Sequence, residues 1–140
     1  MSDIDFPAPP PVFTGCLSAN VIGEQGKPQR MLGKNAPFEI EVLWEVGGHA
    51  AFLVTGSWKI EAFAESLGPG ESAFLGQTTT PITKAPPDTW TVRLNVPPDT
   101  LTPVSGVYKI LVVLSHMDVF GEETPICGFT DGPIIKVRKS

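Results

Sequence analysis

The sequence predicts an all-β domain, an antiparallel two-sheet sandwich of about seven to eight strands, and three observations carry that prediction. Phe38, Ile40, Val42, Trp44 and Val46 alternate with Glu39, Glu41, Leu43 and Glu45, the period of two of a strand buried on one face. Trp90, Val92, Leu94 and Val96 repeat the pattern against Thr91, Arg93 and Asn95. Fifteen Pro and 14 Gly among 140 residues fall between apolar runs more often than within them, which punctuates helices out of most of the chain. No helical pattern alternates with the strands, as a parallel sheet would need.

Residues 1–11 read as a Pro-rich extended arm, because Phe6, Pro7, Ala8, Pro9, Pro10 and Pro11 favour a polyproline conformation over a packed element. Ile4, Phe6, Pro9, Pro10 and Pro11 are its expected contact residues on a neighbour. Residues 12–140 read as one β-sandwich domain. Val12 to Ala19 is a first strand, and Val21 to Leu32, with Gly23, Gly26 and Pro28, a long connection. The clear strand at 38–46 ends at Gly47 and Gly48, and Ala51 to Val54 is a brief extended piece. Trp58 to Leu67 fits a strand through Trp58, Ile60, Ala62 and Ala64, and a helix through Ile60, Phe63, Ala64 and Leu67; the β context favours the strand. Ser72 to Leu75, Trp90 to Val96, a long buried run at Val107 to Ser115 and a last run at Ile126 to Val137 complete the set. Gly128 to Pro133 interrupts the last run, which predicts a bulge or a switch between sheets that protects an edge strand or, alternatively, shapes an interface for a partner.

An apolar strand through Trp44, a following strand with Trp58, and the run Ser105, Gly106, Val107, Tyr108, Lys109, Ile110 together resemble an immunoglobulin-like domain. The resemblance implies that Tyr108 is a tyrosine corner, its hydroxyl bonded to backbone in Thr102 to Ser105. Trp44 and Trp58 fall on the apolar phase of their strands and are expected in the core on facing sheets. The chain departs from antibody-type domains at Ile110, where those carry a cysteine.

Ten Lys and Arg against 15 Asp and Glu give a net charge of −5, so no positive field collects phosphates and nucleic acid is not an expected partner. No 18-residue apolar run suggests membrane insertion. The first residues carry Asp3 and Asp5 where a secretory signal would be basic, and only Cys16 and Cys127 occur, so cytoplasmic, reduced thiols are expected. In an exported chain the two would be placed to bridge the first and last strands. A charged fraction of 18% and a mean hydropathy of +0.09 imply apolar surface open to self-association or a protein partner.

No catalytic constellation is legible. His49 and His116, the two imidazoles, read as exposed loop residues, and no nucleophile elbow accompanies them. Gly68, Pro69, Gly70, Glu71, Ser72, Ala73 matches a dinucleotide fingerprint in letters, yet no βαβ unit surrounds it. His49, His116, Met117 and Cys127 are copper-type ligands in the wrong order. Asp118, Glu122, Glu123 and Asp131 would suit calcium but read as solvated acids. No cofactor is expected. The function these readings predict is a non-catalytic, immunoglobulin-like interaction or assembly module, with a sandwich binding carbohydrate or a metal ion as the alternative.

Overall fold

The protein is described by a computed structural model covering residues 2–23, 26–33, 36–68, 72–98, 100–101 and 106–138. Among these residues it forms nine strands: β1 (Ser2–Asp5), β2 (Thr14–Ile22), β3 (Met31–Gly33), β4 (Phe38–Gly47), β5 (Ser57–Ser66), β6 (Ala73–Pro81), β7 (Asp88–Val96), β8 (Gly106–Met117) and β9 (Glu123–Arg138). The one helical element is a 3-10 turn at Ala51–Leu53. No helix among the described residues is long and apolar enough to cross a membrane.

The chain is all-β and its sheet is antiparallel except for β3, which runs parallel to the end of β9. The hydrogen-bonded order is β6-β5-β8-β9-β1-β2-β4-β7, a single sheet whose end strands β6 and β7 approach each other without a ladder. The expected two-sheet sandwich is therefore corrected to one nearly closed, barrel-like sheet. Its cause is β1. Ser2 and Asp3 pair with Leu17 and Cys16 of β2, and Ile4 and Asp5 pair with Gly128 and Cys127 of β9. A four-residue strand that hands over from one neighbour to the next welds two half-sheets into one.

The same strand corrects the expected arm. Residues 2–5 belong to the chain's own sheet, and Ile4 is 5% exposed in the core. The segment then folds back: Val12 N–H donates to the Pro9 carbonyl, and the rings of Phe6 and Phe13 stack with centroids 5.3 Å apart. Glycine at position 15 makes room, since a Cβ there would lie 3.1 Å from Ile4 Cδ1 and 3.0 Å from the Phe6 ring.

Alternation builds the interior. β4 buries Phe38, Ile40, Val42, Trp44 and Val46, and it holds nine matched partners on β2 and nine on β7. The ambiguous run near Trp58 is strand β5, burying Trp58, Ile60, Ala62 and Ala64. Pairing overrides the helical face because β5 gains a ladder on both sides, with β6 and β8. The interruption in β9 is a bulge in which Gly132 and Pro133 oppose Ile110, between the pairs Lys109–Ile134 and Leu111–Asp131. β9 is not an edge strand, however, because β8 and β1 flank it.

Cys16 and Cys127 are free thiols. They face Asp3 and Asp5 on opposite sides of β1, so two interstrand spacings, roughly 9–10 Å, separate them, beyond the reach of a disulfide. Burial and the neighbouring Glu45 carboxylate, 3.1 Å from Sγ, push the Cys16 thiol up from its ordinary pKa.

Candidate functional site

One end of the barrel gathers three connections: residues 6–13, 48–56 and 118–122. His49 and Ala50 N–H donate to the carbonyls of Pro11 and Val12, at 3.0 and 2.9 Å. Ile82 N–H donates to the Gly56 carbonyl at 2.9 Å. Two glycines permit these approaches. Gly48 sits at φ +108 with its Cβ position 2.5 Å from the Val12 carbonyl oxygen, and Gly56 sits at φ +105 where a Cβ would collide with the Met117 carbonyl.

His116 clamps two of the connections. It ends β8 with its side chain inward, 5% exposed, which corrects its expected place in an exposed loop; His49 is exposed in its turn. The period of two along β8 decides this, since His116 shares the phase of Tyr108, Ile110, Val112 and Leu114. Nε2 lies 2.5 Å from the Thr55 carbonyl and Nδ1 2.8 Å from Thr124 Oγ1. A carbonyl only accepts, so Nε2 carries the proton, and Nδ1 accepts from the Thr124 hydroxyl, which itself accepts from Ile126 N–H. The neutral ring is thereby satisfied at both nitrogens. Burial lowers its pKa below the ordinary histidine value, outweighing the opposite pull of the Thr55 carbonyl and of Asp118.

The turn at 118–122 is the most organised of the three and the most exposed. Asp118 N–H donates to the Glu122 carbonyl at 2.8 Å, and Gly121 N–H to the Asp118 carbonyl at 3.0 Å. Asp118 Oδ1 accepts from Phe120 N–H at 2.9 Å and Glu122 N–H at 3.0 Å, and Gly121 takes φ +82. This network holds Phe120 at 88% exposure, with Val119 at 68%. The 3-10 turn adds exposed Phe52 and Leu53 at the same end. No Lys or Arg occurs in 6–13, 48–56 or 117–123, where the charges are Asp118, Glu122 and Glu123.

Trp44 and Trp58 are buried on β4 and β5 with ring centroids 6.4 Å apart, and half-buried Trp90 stacks on Trp44 at 6.0 Å. The Trp44 and Trp58 indole nitrogens have no hydrogen-bond partner among the described residues. Tyr108 is buried on β8, while the Thr102 to Ser105 stretch expected to bond it lies outside the described residues. So do three residues of the glycine fingerprint, 69–71. The four candidate calcium acids do not converge: Asp118 serves its own turn, Asp131 pairs with Lys109 at 3.1 Å and Glu123 with Lys59 at 3.9 Å. Among the described residues no three His, Cys, Asp or Glu side chains form a metal-holding group. The exposed turn was missed in the sequence although its signal is there: Asp118 three residues before Gly121 is the pattern of an Asx-stabilised turn.

No family model and no curated protein matches the chain. Among solved structures it is similar to a superoxide reductase (neelaredoxin) from Ignicoccus hospitalis, with 18% identity, a TM-score of 0.42, and 86% of this chain and 80% of that chain covered. It is also similar to AvmM, described as catalysing macrocyclization in alchivemycin A biosynthesis, with 11% identity, a TM-score of 0.44 and 89% of each chain covered. The immunoglobulin-like sandwich is overturned by this chain's own topology, one nearly closed sheet in place of two, and the expectation of a non-catalytic module loses the resemblance it was built on. At such identities and scores the likeness carries no activity to this chain.

Proposed function

We propose that the loop end is where this protein meets a protein partner, with Phe120 as the anchor. The reading requires neither an immunoglobulin fold nor an absence of catalysis. One observation carries it: a turn closed by four hydrogen bonds keeps a phenylalanine side chain almost fully in water. An exposed aromatic in a floppy loop loses conformational entropy on docking; one held in place beforehand does not, which is the economy of a preorganised anchor. Val119, Phe52 and Leu53 supply apolar surface around it.

Charge selects the partner's chemistry. The end is apolar with an acidic rim of Asp118, Glu122 and Glu123, the last of them 3.9 Å from Lys59, so it complements an apolar pocket bordered by Lys or Arg and is repelled by an anionic membrane. His116 serves this reading as a positioning residue, because it ties Thr55, next to the Phe52 turn, to Thr124, next to the Phe120 turn.

A photo-crosslinking amino acid in place of Phe120, used in the cells that make the protein, tests the reading. The expected result is a discrete protein adduct that disappears when Phe52 and Leu53 are both changed to Ser. No adduct, or the same adducts from a crosslinker at exposed Thr79 on β6, overturns it. Flotation of the chain with anionic vesicles, lost in Phe120→Ser, would overturn it in favour of lipid.

A further inference from the structure

A second surface stands apart from the loop end. The outer face of β6-β5-β8-β9 should be polar, since its residues alternate with the core, yet two of its middle rows carry five apolar side chains. Register places Phe74, Phe63 and Leu111 side by side across β6, β5 and β8. Asp131 ends this row on β9, and the next row puts Val113 beside Phe129 across β8 and β9, with Glu61 and Gln77 completing it on β5 and β6. The Phe63 and Phe74 rings meet edge to face at 5.4 Å. Phe74 is 51% exposed and Phe129 62% exposed, so no other part of the described chain covers them.

We infer that this face binds a second copy of the chain, sheet against sheet. Charge argues for that occupant. In and around these rows the face carries Lys59, Lys109, Lys136 and Arg138 against Glu61, Glu65, Glu123 and Asp131, four of each sign. The chain's whole net charge of −5 therefore lies elsewhere. Two copies of an acidic protein repel each other over most orientations, and this neutral face is where they approach without that cost. Lys109 and Asp131 at 3.1 Å, with Lys59 beside Glu61 at 3.7 Å, place both signs next to the phenylalanines for exchange with a copy.

Size argues the same way. Four strands about 4.8 Å apart, with β8 twelve residues long at about 3.4 Å each, outline roughly 750 Å². A standard stable interface buries about 800 Å² per partner. Two such faces packed at the usual sheet-to-sheet distance of about 10 Å would interleave their phenylalanines as sandwiches do. The contact is isologous, so it closes at two copies and propagates no filament.

Sedimentation equilibrium of the full chain, from about 1 μM to several hundred μM, tests it. The wild type is expected to pass from monomer to dimer in this range. Phe74→Glu with Phe129→Glu is expected to weaken the dimer at least about 30-fold, the effect of losing a hot spot. Phe120→Ser is expected to leave it unchanged, which separates this contact from the loop end. In the wild type, hydroxyl-radical labelling of Phe63, Phe74 and Phe129 should fall as concentration rises, a readout independent of any variant's folding. A monomer throughout, labelling that ignores concentration, or a dimer lost in Phe120→Ser but kept in the double variant each overturns the inference.

Discussion

The two halves of the barrel wall have the same inner face and different outer ones. Inside, β4 and β8 bury equivalent alternating sets, Phe38 to Val46 on one and Tyr108 to His116 on the other. Outside, the β2-β4-β7 half presents Ser18, Asn20, Glu39, Glu41, Glu45, Thr89, Thr91, Arg93 and Asn95, with Leu43 its apolar exception at the centre of β4. Arg93 lies 2.9 Å from Glu41 and 3.6 Å from Glu39, an exposed network that favours solubility more than stability. The β5-β8-β9 half instead presents Phe63, Leu111, Val113 and Phe129. Folding demands the inner pattern of both halves equally, because each must bury a face. It demands nothing of the outer faces, so a departure there from polar residues calls for an explanation outside the fold.

Breaking the inner face should have the largest effect. Trp58→Ala is expected to cost about 3–5 kcal/mol and Ile4→Ala about 2–4 kcal/mol in denaturant unfolding, as losses of fully packed side chains. An Ile4 variant within about 0.5 kcal/mol of wild type would mean that β1 does not join the halves in solution. Tyr108→Phe keeps the ring and removes the hydroxyl, so the midpoint should fall by the equivalent of about 1 kcal/mol.

His116 gives the inner face a pH dependence. Its folded pKa is depressed by burial, so the unfolded chain binds more protons below about pH 6.5. The stability it contributes is complete above that pH and is lost as pH falls through the folded value. His116→Gln should flatten the stability curve over that range, and an unchanged slope would show that protonation is accommodated without opening the Thr55 and Thr124 bonds.

The outer faces should barely register in stability. Phe74→Glu, Phe129→Glu and, on the other half, Thr91→Val are each expected within about 0.5 kcal/mol of wild type, as surface changes usually are. What separates the halves is association: each of the first two should weaken the dimer and the third should leave it intact. An equal loss from Thr91→Val would place the contact at the β7 edge and erase the contrast between the faces.

Much of the β-structure was legible because alternation is a local signal. Phe38 to Val46 and Trp90 to Val96 read directly as strands, and Gly128 to Pro133 read as an interruption that the structure narrows to a bulge at Gly132 and Pro133. β1 was not legible: Ser2, Asp3, Ile4 and Asp5 offer one apolar residue, and its proline-rich sequel suggests an arm. Tertiary pairing with two strands distant in sequence makes it structure. His116 was misplaced for a related reason, since it follows the β8 phase by one residue past the point where an apolar run ends. The loop-end site was half visible. Its Asx turn is written in Asp118 and Gly121, but its juxtaposition with Phe52 and Leu53 arises from connections more than 60 residues apart.

By itself the sequence determined that this chain is β-rich, acidic, lightly charged and alternating in most of its strands, because each of these properties is set within a few neighbouring residues. Only the tertiary structure decided how the half-sheets join, which histidine is buried and which phenylalanines share a face. Those outcomes depend on strand order and register, and these are chosen by the summed burial of the whole core, which no local window contains.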